Sequence, residues 1–364
     1  MKTAAFLLCF LLLGFTTAFG GEQFPVEFKW DKPIYPKVQP DQVVKLPYLD
    51  PPNPWIADEH GMAAIMKNLI ERGTKGKIRV ELYPNGQLGK ESTMASMLRE
   101  GTSVQICIMS EGIIPTFYKP IQVLATPYIF KTEAIAYKVL DGWFGEELSA
   151  DMAKTSGVRV LGYGENGGFR HFTNNIRPIH SPADMKGIKM RTMEHAGHMA
   201  IVKSLGAIPT PVSWTELYTS LKTKVAGGQE NSIPVINFGK LYEVQDYMIL
   251  DGHVYSSDMV LVNEKWFQSL SKDHQNIVRE AAVQAVVYGR GISRILESEK
   301  LAYFENTQQF KEIYFPSAEE KDAFAKISQP AYLEWFKKEV DPDGVWIGKL
   351  NKAVAEAEKA HFQK

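Results

Sequence analysis

Two arginines, and a short turn that follows them in the chain, are the residues best suited to binding chemistry in this sequence. Arg170 and Arg191 both stand in strand-like segments, and the stretch closes with Gly-Gly-Gln-Glu-Asn at 227–231. A guanidinium group stays charged at neutral pH, and its forked donors match the two oxygens of a carboxylate. If both side chains enter one cleft, we expect a site for an organic acid. The alternative is a structural ion pair with a nearby acid, for which the candidates are Glu165, Glu194 and Glu230.

The composition favours a globular protein of two domains and argues against a nucleic-acid binder. The chain has 364 residues, of which 45% are hydrophobic and 23% charged, so it can bury a full core. Its formal net charge of -1 offers no basic excess to nucleic acid. The two cysteines are Cys9, in the leading apolar run, and Cys107, so the rest of the chain can form no internal disulfide.

The first residues are typical of a secretory signal peptide. Lys2 gives a positive start, residues 4–15 form an apolar core, and 18–20 read as a small-x-small cleavage site. The alternative is a retained membrane anchor. We predict cleavage near Gly20 and export of the mature protein to the periplasm. The Pro- and Lys-rich stretch 21–42 is predicted to be an extended arm.

Strands alternate with helices along much of the mature chain, which predicts open α/β sheets. Ile78, Val80 and Leu82 share one face of a predicted strand, and residues 104–109 are apolar at nearly every position, as in a strand covered on both faces. Ligands of such sheets lie beyond the carboxyl ends of the strands. This rule assigns three segments to the mouth of the site, namely 48–55, 84–89 and 110–111.

The glycines at 162–167 match the dinucleotide motif G-x-G-x-x-G, but the residues after them do not open a helix. Residues 169–175 read as a strand instead, so we interpret the glycines as a crossing between domains. From Ser271 onward, a helical apolar periodicity continues through Leu296, which predicts a long or kinked helix that bridges two lobes.

His195 and His198 are spaced by one helical turn, as metal ligands can be, but no third ligand is apparent. We expect no metal, no cofactor and no catalytic residue. Trp214 begins a predicted helix, where it could stack on a ligand or hold the start of the helix in place.

Several short motifs in a fixed order resemble one protein family. They are residues 83–89, 168–170, 173–174, 177–179, 186–191, 206–207, 214–218, 228–231 and 242–245. Together they resemble the periplasmic solute-binding subunits of tripartite ATP-independent periplasmic (TRAP) transporters, the C4-dicarboxylate-binding class. The resemblance extends over roughly residues 43–301.

This resemblance implies an α/β, two-lobed periplasmic solute-binding fold, with a ligand cleft between the lobes and a long helix that spans both. The predicted division is a signal peptide at 1–20, the arm at 21–42, lobe I at 43–166 plus 257–296, and lobe II at 167–256 plus 297–364.

The resemblance also implies which residues bind the solute. Arg191 matches the principal carboxylate-clamping arginine, Arg170 the second cleft arginine, and Asn231 the asparagine that orients the bound acid. From their chemistry alone, Glu111, Glu165 and Glu194 could accept hydrogen bonds from hydroxyl or amine groups of the ligand. Phe169 and Trp214 could favour an aromatic or branched acid.

The predicted function is therefore capture of a small organic acid and its delivery to the permease subunits of a TRAP transporter, by a monomer that is not an enzyme. The alternative is a periplasmic binding protein that senses its ligand for a signalling receptor. A hydrolase is disfavoured, because the sequence has no G-x-S-x-G elbow and no H-E-x-x-H helix. The residues do not rank dicarboxylates, keto acids, sugar acids and aromatic acids.

Overall fold

The structure, a computed structural model, describes residues 30–362. The predicted signal peptide and residues 21–29 of the predicted arm lie outside this range. Among the described residues, no helix combines the length and the apolar composition needed to cross a membrane.

Eleven strands are found within residues 30–362. They are β1 (Gln42–Pro47), β2 (Ile78–Tyr83), β3 (Ile106–Ser110), β4 (Val158–Tyr163), β5 (Gly168–Asn174), β6 (Lys189–Thr192), β7 (Ile208–Pro211), β8 (Gly228–Asn231), β9 (Tyr247–Ser256), β10 (Asp258–Asn263) and β11 (Glu312–Tyr314).

Eleven α-helices alternate with or follow these strands in the same range. They are α1 (Asp58–Gly73), α2 (Glu91–Glu100), α3 (Glu133–Leu140), α4 (Trp143–Ser156), α5 (Ala196–Ser204), α6 (Trp214–Lys222), α7 (Ile233–Phe238), α8 (Glu264–Ser269), α9 (Lys272–Asn306), α10 (Ala318–Glu339) and α11 (Val345–Phe362).

Lobe I is built on strands β1 to β4 and β10. The strands β1 and β2 pair in parallel, β10 pairs antiparallel with both β3 and β4, and β1 lies beside β3. As predicted, Ile78, Val80 and Leu82 are buried, and β3 is buried along nearly its whole length. A core of apolar side chains, among them Met62, Val80 and Val278, fills the space between this sheet, α1 and α9. Each fully buried aliphatic side chain contributes about 1.5–3 kcal/mol.

Lobe II is built on a six-stranded sheet with the order β11-β9-β5-β8-β6-β7. The strand β8 pairs antiparallel with β5 and parallel with β6, so it lies between the strands that carry Arg170 and Arg191. The sequence predicted a turn at 227–231, and this is wrong for 228–231, which form β8. A strand buried on both sides satisfies its backbone through its neighbours, which outweighs the local turn preference of glycine and asparagine.

The chain passes between the lobes at three places. Residues 164–167 join β4 to β5, Ser257 joins β9 to β10, and α9 packs on α1 in lobe I and on α7 in lobe II. The glycine motif at 162–167 is thus a crossing between lobes that is followed by a strand, as predicted. The long helix is also confirmed, because α9 is one helix of 35 residues, which extends about 50 Å.

The segments at the two ends pack on different parts of the molecule. Residues 30–41 lie against lobe I, where the Ile34 amide donates to Glu71 at 2.7 Å and Trp30 contacts His60. The helix α10 packs on α5 of lobe II, whereas α11 packs on α3 and α4, which belong to the segment predicted for lobe I. The predicted boundary at 297–364 therefore does not describe α11, and the exact division between the lobes remains a proposal.

Gly168, at the start of β5, lies next to the first crossing between the lobes, and substituting it would show how tightly that crossing is packed. Gly168 has φ +92, and a Cβ atom there would overlap the guanidinium of Arg294, which is itself tied to Glu133, Glu165 and Glu297. We expect Gly168→Ala to lower the free energy of unfolding by about 2–4 kcal/mol, since backbone strain in the left-handed region costs about 1–2 kcal/mol before any displacement of Arg294. Urea denaturation measures this loss.

The matched control is Gly157→Ala, whose φ is +76 and whose Cβ would meet nothing within 4 Å. We expect this variant to lose only the backbone contribution, about 1–2 kcal/mol. Equal losses in the two variants would contradict close packing of Arg294 on the crossing.

Candidate functional site

Arg191 is a buried cation whose charge has no acidic partner within the described residues. It is the third residue of β6, and only 1% of its surface is exposed. Its Nε donates to the carbonyl of Val212, just after β7, at 2.9 Å. No described carboxylate lies within 4 Å of its guanidinium, and neither terminal nitrogen donates a hydrogen bond to a described group. Burial lowers the pKa of Arg191 to about 10, an effect that Glu230 and Glu91 only partly offset.

The Arg191 side chain lines two small cavities between the lobes, with volumes of about 40 and 20 Å³. From lobe II, the larger cavity is lined by Arg191, Met193, Trp214, Asn231, Val235 and Phe238. From lobe I and the first crossing, it is lined by Leu49, Asp50, Glu59, Glu91, Ser110 and Asn166. Outside these two cavities, a groove of about 350 Å³ shares Leu49, Trp214 and Phe238 with the larger of the two. Because both lobes contribute walls, the space beside Arg191 exists only while the lobes face each other.

Asn231 lines the same cavity and is held in a fixed orientation by its neighbours. Its Oδ1 accepts from Arg170 Nη2 at 2.7 Å, and its Nδ2 donates to Gln229 Oε1 at 2.7 Å. These bonds leave one N–H of the amide for a further acceptor. The asparagine therefore presents a donor, with a defined direction, on the same wall as Arg191.

Arg170 is fully buried and is paired inside the protein. Its Nε donates to Glu230 Oε2, its Nη2 donates to the Glu230 carbonyl at 2.7 Å, and its Nη1 donates to Ser256 Oγ at 3.1 Å. Burial acts to lower the pKa of Arg170, but the Glu230 carboxylate raises it above its ordinary value. The structural ion pair considered from the sequence is thus what the structure has at Arg170, with Glu230 as the acid. Arg170 reaches the cavity only through Asn231.

Glu230 is the centre of a larger buried network behind this wall. Besides Arg170, it contacts His198 Nδ1 at 3.3 Å and His253 Nε2 at 3.4 Å. Burial acts to raise the pKa of Glu230, but Arg170 and His198 lower it well below its usual range. Burial acts to lower the pKa of His253, but its partners Asp251 and Glu230 raise that pKa to about 9. The ring is therefore charged at neutral pH and helps to balance Glu230.

The wall opposite Arg191 carries two buried carboxyl groups. Glu59 Oε2 accepts from the amides of Leu49 and Asp50 at 2.8 and 2.9 Å, and Asp50 Oδ2 accepts from the Glu59 amide at 3.2 Å. Burial raises the pKa of Asp50 to about 7 and raises that of Glu59 well above its usual range. These carboxyl groups can accept hydrogen bonds from a ligand and, when protonated, can also donate one.

The structure does not bring Glu111, Glu165 or Phe169 to the cavity beside Arg191. Glu111 accepts from the Ser257 amide at 3.2 Å, at the second crossing between the lobes. Glu165 is held by Arg294 and the Tyr137 hydroxyl, and burial raises its pKa to about 7. Phe169 lines a different cavity and packs edge-on against Tyr255. This arrangement supports structural roles for the two acids, and ligand contact by any of the three remains an untested prediction.

Trp214, by contrast, does lie at this cavity, while its contact with a ligand stays a prediction. It begins α6, lines the cavity and packs edge-on against Phe238 with ring centroids 5.4 Å apart. Its backbone amide points at Glu91 of lobe I, at 3.4 Å. The ring therefore forms the outer wall of the cleft, next to the groove.

His195 and His198 are both buried, and their rings contact each other edge-on. Within residues 30–362, no group of three or more His, Cys, Asp or Glu side chains is arranged to hold a metal ion. His198 instead takes part in the network around Glu230.

Sequence reasoning found some of the lobe I wall and missed the rest. The rule that ligands lie beyond strand ends correctly indicated Leu49, Asp50 and Ser110, which follow β1 or end β3. Glu59, Glu91 and Asn166 were missed. Glu59 and Glu91 lie in the first turns of α1 and α2. Acids are common at such positions for reasons of helix stability alone, so their types and spacing do not indicate that they face a cavity.

Comparisons with known proteins agree with this architecture. Residues 56–339 match the sequence model of the bacterial extracellular solute-binding proteins, family 7. A solute-binding protein of Verminephrobacter eiseniae is 36% identical over 221 residues, which cover 61% of this chain and 65% of that protein, just under two thirds of its length.

Solved structures match over more of the chain. The sugar acid binding protein of Advenella mimigardefordensis, in complex with galactonate, superposes with a TM-score of 0.80 and 28% identity over 88% of this chain and 99% of that one. A TRAP periplasmic solute-binding protein of Shewanella oneidensis, with bound succinate, gives a TM-score of 0.79 and 25% identity, again over 88% and 99%. The chain therefore belongs to family 7 of the bacterial extracellular solute-binding proteins, the family of the TRAP transporter solute-binding subunits.

Proposed function

We propose that this protein binds a small hydroxylated organic acid at Arg191, in the cleft between its lobes, and delivers it to the membrane permease of a TRAP transporter. One observation carries the proposal. Arg191 is a buried guanidinium on the cavity wall, and its terminal nitrogens have no acidic partner within the described residues.

A ligand carboxylate would supply the partner that Arg191 lacks. Removing a charge from water costs several kcal/mol, and in the free protein the Val212 carbonyl offsets only part of this cost. A carboxylate that accepts from both terminal nitrogens gains two charge-assisted hydrogen bonds, each worth about 1.5–3 kcal/mol. Because β6 and Val212 already hold the side chain, little further ordering is needed on binding. The remaining N–H of Asn231 can donate to the same ligand.

The small volumes beside Arg191 support a cycle of opening and closing. Cavities of about 40 and 20 Å³ can each hold only one to a few water molecules. An organic acid of six carbon atoms needs more space, so the lobes must separate to admit it. The three crossings between the lobes provide a hinge for this movement. Closure around the ligand would exclude water and strengthen its bonds to Arg191.

The opposite wall favours a hydroxylated monocarboxylate over a dicarboxylate. When the carboxylate of the ligand is at Arg191, its far end faces Asp50 and Glu59. Hydroxyl groups can exchange hydrogen bonds with these acids in either protonation state. A second carboxylate would meet the like charge of Asp50, which is largely ionised at pH 7.5 because its pKa is about 7. The related protein that was solved with galactonate supports this class. The related protein that was solved with succinate makes the dicarboxylate the competitor to test.

Delivery to a permease is supported by family membership and by the predicted signal peptide. The periplasm is the compartment in which such a subunit would meet both its solute and a membrane partner.

The two buried arginines should respond in opposite ways to substitution. We expect Arg191→Met to weaken galactonate binding by about 100-fold or more, since two charge-assisted bonds are lost, while the free protein stays as stable as before. We expect Arg170→Met to lower the free energy of unfolding by about 3–5 kcal/mol, because it leaves Glu230 buried without its main partner. Calorimetric titration and urea denaturation of both variants measure these effects.

Two outcomes would count against the assignment. Undiminished galactonate binding by Arg191→Met would remove this residue from the site. A loss of stability in Arg191→Met as large as in Arg170→Met would mean that its charge is balanced within the protein.

The choice between ligand classes can be tested at Asp50. We expect Asp50→Asn to shift the ratio of succinate to galactonate affinity towards succinate by about tenfold at pH 7.5, because the variant has one negative charge fewer opposite Arg191. The amide oxygen of asparagine can still accept from the Glu59 backbone, so the fold should be kept.

The control for this experiment is Asp151→Asn, an acid of α4 that does not line the cavities beside Arg191. This variant should leave the ratio of succinate to galactonate affinity unchanged. Wild-type protein that binds succinate more tightly than galactonate at pH 7.5 would refute the proposed class, although carboxylate binding at Arg191 could still stand.

A further inference from the structure

A second and much larger cavity lies beside the six-stranded sheet, apart from the cleft. Its volume is about 860 Å³, and none of the residues that line it also lines the cavities beside Arg191. It is open to solvent and is bounded by β5 and β9, by residues 128–131, by the later part of α9 and by the start of α10. A volume of this size is typical of sites for small organic molecules.

The walls of this cavity are mainly apolar and aromatic. They include the rings of Tyr128, Phe130, Phe169 and Phe315, with Ile233 and Leu301 between them. Phe315 is 54% exposed although it is a large apolar side chain. Such walls would gain most from a ligand with an apolar body, because covering exposed apolar surface is favourable.

The charged groups around the cavity are paired, with one exception among the described residues. Asp322 pairs with Lys326 at 2.6 Å, Glu297 pairs with Arg294, and Lys131 pairs with Glu358 at 3.0 Å. Asp251 accepts from the Tyr128 hydroxyl and contacts His253. Lys321 is half-buried, and its ammonium group has no hydrogen bond or ion pair to a described residue. Lys321 is therefore the cation at this cavity that lacks an acidic partner among the described residues, whereas Glu297 shares Arg294 with Glu133 and Glu165.

His171 adds a neutral donor on the inner wall. The side chain is over nine-tenths buried, and the Gly252 amide donates to its Nδ1 at 3.1 Å. The ring hydrogen must then be on Nε2, which has no described partner. Burial lowers the pKa of His171 to about 4, with smaller contributions from His253 and Lys321 and against the effect of Asp251, so the ring stays neutral at physiological pH.

We propose that this cavity is a second binding site, specific for an organic acid with an apolar body such as an aryl ring. The aromatic side chains cover the apolar body, and the carboxylate is bound by Lys321 and by the Nε2–H of His171. Such a ligand differs from the hydroxylated acid proposed for the cleft, which has little apolar surface. The proposal does not depend on the function assigned to Arg191.

The test uses 3-phenylpropionate as the probe and 3-phenylpropanamide as its neutral counterpart. Calorimetric titration of the whole exported protein should give one site for the acid, with about tenfold weaker binding of the amide. We expect Lys321→Ala to weaken binding of the acid by about tenfold and to remove its preference over the amide. Lys337→Ala removes an exposed lysine from the same helix, outside the cavity, and should change neither value.

Two further variants locate the bound probe. Ala325→Trp fills the cavity from α10 and should abolish binding, whereas Arg191→Met should leave it intact. Absence of binding at millimolar probe would overturn the proposal, as would equal binding of acid and amide. Binding that Arg191→Met removes and Lys321→Ala preserves would assign the probe to the cleft and also overturn it. If Ala325→Trp does not fold, the pair Lys321→Ala and Lys337→Ala still decides the question.

Discussion

Two arginines are buried in this structure, but only one of them has its charge balanced inside the protein, and the proposed site depends on this difference. Arg170 is fully buried, but Glu230 balances its charge and the surrounding polar groups satisfy its donors. Arg191 is buried almost as completely, yet its terminal nitrogens have no described partner. A buried charge without a partner is among the least favourable states for a side chain. Protein folds retain one where a ligand provides the missing charge, and the position of Arg191 in an interlobe cavity fits this explanation.

Different parts of the fold supply the different groups of this site. The strand β8 lies between the strands of the two arginines, so one short segment supplies Glu230 to balance Arg170 and Asn231 to face the cavity. The network through His198 and His253 holds Glu230 in place without contributing to the cavity wall. Lobe I contributes the opposite wall, with two carboxyl groups whose pKa burial raises. Cationic and acidic walls thus belong to different lobes, which is the arrangement that the proposed hydroxylated acid would connect.

The large cavity beside the six-stranded sheet and the small spaces beside Arg191 illustrate why size alone does not identify a binding site. The larger one has about 860 Å³ and mostly apolar walls, while the spaces beside Arg191 have about 40 and 20 Å³. In a protein whose lobes close on each other, the cleft is small whenever the lobes are together, so its volume reflects the conformation. The chemistry of the walls is a better guide. A buried cation without an acid supports the proposed carboxylate site in the cleft, and aromatic rings beside Lys321 support the proposed site for a more apolar acid in the larger cavity.

The sequence by itself determined the α/β architecture, the long helix α9 and the glycine crossing between the lobes, because periodicity and glycine spacing are local properties of the chain. Its ordered motifs also indicated Arg191 as a ligand-binding residue, which stays a prediction. Only the tertiary structure decided that Arg170 is an internal ion pair, that 228–231 form a strand, and that Glu59, Glu91 and Asn166 line the cavity while Glu165 and Phe169 lie elsewhere. Those facts depend on which side chains meet across strands and lobes far apart in sequence. A charged residue has the same identity whether its partner is an internal acid or a ligand, and only the packing of the lobes distinguishes the two.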